Sequence, residues 1–286
     1  MGGIRFRLVG IILVAVVPLI VAHAVTLSEQ RARTIAMAGE QAEDLARRGA
    51  DLYRDLVFEA KTLLQLLANA PEVSSHSPEA CAKFFEEAGH DRVWANGFWV
   101  IAPDGRVRCT TVAGGLTLDV SDREYFSTVM KTHKFTVSNF FISRISHVPI
   151  AVAVLPVLDS RGSVKYLLAI TLRLGWFYRF VGELSGKQHA TAWLIGGGGD
   201  LLARNPQRPD LIGKNFIYLA SFRDMLSRGE GWLDVPSRDA FGGILGFAQI
   251  RGTNARIAVA LSRDSVLAES NSQICASLTS ELILQA

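Results

Sequence analysis

Hydrophobic and polar positions along this chain fall into three regimes. Residues 8–27 contain only His23 and Thr26 as polar members, a run of about 20 residues that at 1.5 Å per residue matches a hydrocarbon core of roughly 30 Å. This run predicts a membrane-spanning helix. Residues 28–70 then contain no proline and are interrupted only by Gly39 and Gly49, with Pro71 closing the stretch. Leu45, Leu52, Leu56, Leu63, Leu66 and Leu67 recur there near a helical period, with Glu43, Arg47, Arg48 and Arg54 between them, which predicts one long amphipathic stalk helix.

Beyond Pro71 the period shortens to that of strands. Residues 97–101 and 106–112 flank a Pro-Asp-Gly turn and predict a hairpin, residues 122–131 a short helix, and 135–142, 149–158 and 164–172 three further strands. The order then returns. Strands are expected at 192–195, 201–204, 231–235, 243–250 and 255–262, with helical material at 216–228 and residues 173–184 as the joint. Two copies of one α+β module, each an antiparallel sheet, follow from this repetition.

Composition changes the picture at the N-terminus. The chain of 286 residues is 49% hydrophobic and 20% charged, and its mean hydropathy of +0.23 fits one apolar segment added to globular material. The net charge of +3 is spread along the chain, so no basic block marks a nucleic-acid partner. Arg5 and Arg7 precede the apolar run and favour a cytoplasmic N-terminus, with Arg31 and Arg33 opposing them. Ala22-His23-Ala24 also has the small-x-small form of a signal-peptidase site. Cleavage after Ala24 would release a periplasmic binding protein, and an uncleaved run would anchor one.

Motifs for catalysis are missing. The six histidines show no paired metal spacing, and no nucleophile elbow occurs. Gly196 to Gly199 lacks the Lys-Ser or Lys-Thr of a phosphate loop and reads as a hairpin turn. No enzyme, cofactor or metal is expected. Of the cysteines Cys81, Cys109 and Cys275, the first two are predicted to pair in an oxidising compartment, the alternative being two buried thiols.

With Asp119-Val120-Ser121-Asp122-Arg123-Glu124-Tyr125-Phe126, followed by the segment PIAVAVLPVLDSRG at 149–162, the chain resembles the double-Cache sensor domains of bacterial histidine kinases, diguanylate cyclases and chemoreceptors. The resemblance covers about residues 8–265 and rests on order and spacing. It implies a single-pass protein of the bacterial inner membrane with most of its chain periplasmic. The expected divisions are an anchor at 1–27, a stalk at 28–70, a membrane-distal PAS-like module at 71–176 and a membrane-proximal one at 177–265. Residues 266–286 would lead toward a second span, with the output kinase or cyclase domain absent from this chain. The family's pocket motif places a small-molecule ligand against Arg123 and Tyr125, with Asp122 beside them and Ser143 and Ala151 on the following loop and strand. Arg123 can instead cap its helix against Asp119 or Asp122. Arg144 and His147 read as solvated loop residues. Amino-acid-binding members carry an aspartate where residues 140–143 here have none, so an organic anion is the expected ligand. A homodimer through the long helix is expected from its apolar stripe.

Overall fold

The computed structural model describes residues 3–74, 77–184, 190–236 and 241–268, with side chains from residue 17 onward except at 74, 183 and 184. Helix α1 (Gly3–Leu67) runs without a break for 65 residues, with Pro18 inside it. Among the described residues no helix is long and apolar enough to cross a membrane. Much of the apolar run at 8–27 falls on residues whose side chains lie outside the described set, as do Cys275 and the segment at 269–286.

The face that α1 buries takes in only part of the leucine stripe and is mostly alanine toward the N-terminal side. Ala38, Ala42, Ala46, Ala50, Tyr53, Leu56, Ala60, Leu63, Leu64 and Leu67 are buried, whereas Leu52 is 42% and Leu66 72% exposed. Alanine carries this face because the helix backbone lies directly on a sheet: a Cβ added to Gly246 would stand 2.1 Å from the Ala42 carbonyl carbon. Small residues on both partners permit that approach. From Ala38 onward the stripe is covered by the chain's own sheets, which removes the reason for expecting a helix-mediated dimer there.

After α2 (Pro71–Ser74), helix α3 (Pro78–Gly89) starts on Ser77, whose hydroxyl oxygen accepts from the Ala80 N–H, with Pro78 in the first turn. It buries Phe85 and Cys81, and Cys81 is joined by a disulfide to Cys109. The first sheet comprises β1 (Ala95–Ile101), β2 (Val107–Thr110), β3 (Thr136–Val137), β4 (Phe141–Ile142), β5 (Pro149–Leu158) and β6 (Val164–Leu172), in the order β2-β1-β6-β5-β3 with β4 also on β5. Helix α4 (Glu124–Thr132) crosses one face.

Residues 173–184, expected as a joint, include helix α5 (Gly175–Leu184). Its Trp176 meets Tyr53 of α1 with ring centroids 5.2 Å apart, and Phe180 leaves no room for a side chain at Gly49. The second sheet comprises β7 (Thr191–Ile195), β8 (Leu201–Asn205), β9 (Glu230–Val235), β10 (Gly243–Gln249) and β11 (Arg256–Leu261), with α6 (Ala220–Ser227) beside it. Its order, β8-β7-β11-β10-β9, is the order of the first sheet. Two separate antiparallel sheets of one topology share α1 as a common spine, the second packing on its earlier part and the first on its later part.

The predicted strand at 135–142 is broken. Ser138 exchanges hydrogen bonds with Val152 through its N–H and its hydroxyl oxygen. Past it, Phe140 turns to Tyr53 on the helix side while Phe141 turns to Tyr125 on the other. Gly196 to Gly199 form the β7–β8 turn, with Gly199 at φ 89°, a conformation that glycine adopts without strain.

Candidate ligand-binding site

The first sheet has two occupied faces, and strand periodicity sorts its residues between them. On β5, Ala151 and Ala153 join the core against α1, while Ile150, Val152 and Val154 face α4. Ala151, expected in the pocket, packs toward α1 and is not among the residues that line the cavity on the α4 side. A cavity of about 70 Å³ opens on the α4 side. Ile150 and Val152 form its floor with Trp99, Ile101, Ala169 and Thr171, and Trp99 Nε1 donates to Thr171 Oγ1 at 2.8 Å. The polar rim comes from Arg123, Tyr125, Ser143, Arg144 and Asp119.

Arg123 sits at the N-cap of α4 in extended conformation, and its side chain makes no capping hydrogen bond. Its guanidinium lies 4.7 Å from the centroid of the Phe141 ring, a cation–π contact. It forms no ion pair among the described residues. The carboxylates that might have held it are engaged elsewhere. Asp119 Oδ1 accepts from the Ser121 N–H at 2.8 Å, and Asp122 accepts from Arg144 at 2.5 and 3.3 Å. That pairing holds the Asp122 carboxyl below its usual range, chiefly through the Arg144 hydrogen bond, and raises Arg144 in turn.

Tyr125 is buried and stacks on Phe141 with centroids 6.1 Å apart. Burial pushes its hydroxyl up to about 12, against the pull of Arg123, so it stays a neutral donor. Ser143 starts the loop before β5, and its hydroxyl oxygen accepts from the Ile145 and Ser146 N–H groups at 3.2 and 3.1 Å. Arg123, Tyr125 and Ser143 thus line one cavity, and Arg144 is an exposed loop residue, as expected, that also reaches the rim through its pair with Asp122. Trp99, Ile101 and Thr171 were not singled out by sequence reasoning. The signal was their shared parity with Ile150 and Val152, legible only once strand register was known.

The corresponding region of the second sheet holds an aromatic cluster. Phe241 packs against Trp193, Phe216 and Phe222 with centroids 5.3, 4.9 and 4.6 Å apart. Among the described residues no group of three or more potential metal ligands occurs.

A long spine helix carrying two antiparallel sheets of this topology fits the α+β fold of PAS-like sensor domains. No family model matches the chain, and no curated protein matches it in sequence. Solved structures do. An extracellular ligand-binding receptor from Desulfohalobium retbaense aligns with a TM-score of 0.64 at 16% identity over 78% of this chain and 40% of that one. The periplasmic sensory domain of the Campylobacter jejuni chemoreceptor Tlp1 gives 0.59 at 9% identity, over 81% and 95%. The ligand-binding domain of the Pseudomonas fluorescens chemoreceptor CtaA, solved with L-isoleucine, gives 0.57 at 16% identity, over 85% and 98%. The fold shared with these proteins is consistent with a Cache sensor domain.

Proposed function

We propose that this chain is the extracytoplasmic sensor of a bacterial membrane receptor, held by residues 8–27 and binding a small ligand with an anionic group in its first module. The carrying observation is the Arg123 guanidinium, which borders the cavity with no ion pair among the described residues while neighbouring Arg144 is taken up by Asp122. A guanidinium fork in a sheltered site recognises a carboxylate in bidentate fashion. Tyr125, neutral and stacked beside it, closes the wall. The module at 71–176 is distal and binds. The module at 177–265 is proximal and relays, its counterpart region holding an aromatic cluster.

The chain binds rather than transforms its ligand. Signal transfer then requires only that ligand favour one of two arrangements of sheet and spine, and α1 touches both sheets on the way to the membrane. The neighbour solved with L-isoleucine supports a small-molecule ligand, and neighbours from extracellular and periplasmic compartments support the localisation.

A thermal-shift screen of carboxylates, amino acids and amines identifies the ligand class, because binding to the folded state raises its stability. Arg123→Ala is expected to weaken the hit at least tenfold, a charge-assisted hydrogen bond contributing about 1.5–3 kcal/mol. Lysine should restore little of it, since a point charge lacks the planar fork. Unchanged affinity in a folded Arg123→Ala protein removes Arg123 from the site.

A further inference from the structure

A second cavity lies between the two sheets' units and is larger than the first, about 550 Å³. Its walls come from both halves of the chain: His147, Arg173 and Tyr178 on one side, and Arg204, Arg208 and Gln207 on the other. No carboxylate is among its lining residues. Three guanidinium groups therefore share one cleft.

Their partners account for only part of that charge. Arg208 is held by Asp210 through two hydrogen bonds of 2.9 Å. Arg173 Nε donates to the neutral amide oxygen of Asn96, and Arg173 has no ion pair among the described residues. Arg204, on β8, has a buried Nε with no hydrogen-bond partner. Partial burial and the nearby Arg208 pull the Arg204 guanidinium below its usual range, against the pull of Asp210, the response of a partly desolvated cation beside another cation. A buried polar group without a partner costs stability unless something else satisfies it. The size suits a metabolite-sized occupant.

We propose that this cleft is a second ligand site, for a small anion with two or more oxyanion groups that bridges Arg204 of the second unit and Arg173 of the first. Such an anion pairs with the part of the Arg204 guanidinium that lines the cleft and adds to Asp210 in offsetting the repulsion between Arg204 and Arg208. Two separated cations favour a polyanion over acetate, because each oxyanion group meets its own guanidinium. Asn96, Ser146 and Ile150 line both this cleft and the cavity beside Arg123, so the two sites share a wall.

The test uses the full chain in detergent with citrate and inorganic pyrophosphate as probes and acetate as the monoanion control, read by thermal shift and calorimetric titration. Citrate or pyrophosphate should raise the melting temperature in the wild type more than acetate at equal concentration and ionic strength. That response should persist in Arg123→Ala, which empties the first site of its anchor. It should weaken at least tenfold in Arg204→Gln and in Arg173→Gln, the latter an exposed residue whose change leaves the core untouched. Absence of any response to either polyanion overturns the proposal. So does a response lost in Arg123→Ala and kept in both cleft variants, which would place the anion in the first cavity.

Discussion

Gly246→Ala is expected to destabilise the fold severely, although alanine is ordinarily the better residue within a strand by about 0.5–1 kcal/mol. The added Cβ would meet the Ala42 carbonyl carbon and the Glu43 nitrogen, each at 2.1 Å. Both are backbone atoms of α1 and cannot rotate away. Carbon contacts are comfortable from about 3.5 Å, so the helix must recede by roughly 1.4 Å or the strand must bend. A gap of about 0.5–1 Å already forfeits a quarter to a half of each contact across it. Here the contacts at stake join Ala38 and Ala42 to Ile244 and Leu261, all buried. Overpacking costs about 1–3 kcal/mol where side chains can adjust, and the upper end or more is expected where only backbone can move. Urea denaturation followed by tryptophan fluorescence measures the loss. Gly182→Ala serves as the control, because nothing lies within 4 Å of its Cβ and α5 should gain from the change. Gly246→Ala with a wild-type midpoint would refute the packing of α1 on the second sheet.

Three further outcomes follow. Reducing the Cys81–Cys109 bridge, which closes a loop of sequence separation 28, should cost about 3–4 kcal/mol by the loop-entropy relation, and thiol labelling of unfolded, unreduced protein should find Cys275 alone reactive. Tyr125 holds its proton more tightly folded than unfolded, its hydroxyl being pushed up to about 12. Its contribution is therefore intact below pH about 10 and lost as pH rises from there through 12, and Tyr125→Phe should lessen that alkaline fall in denaturation midpoint. Asp122→Asn removes the ion-pair partner of Arg144 and leaves the Arg123 side chain in place. It should leave the melting temperature nearly unchanged, as surface ion pairs contribute little, and a large drop would show that the pair organises the loop at 143–149.

What the sequence by itself determined is the class of fold and the places of most elements. Alternation and turn residues located β5, β6, β10 and β11 closely, because strands buried on both faces leave long apolar runs that only a sheet satisfies. The Asp-Arg-Glu-Tyr segment pointed to α4 and the cavity under it. Tertiary structure alone decided which residues meet. Parity along β5 is visible in sequence, but which parity faces the cavity depends on the side taken by α1, and that put Ile150 and Val152, not Ala151, into the wall. The buried face of α1 was legible only in part, at Leu56, Leu63 and Leu67, for a related reason. Leucines mark hydrophobicity, whereas the helix meets the second sheet with alanines, since two backbones can approach closely only where side chains are small. The cleft between the units was invisible for the plainest reason. Arg173 and Arg204 are far apart along the chain, and only the shared spine brings their charges to one site.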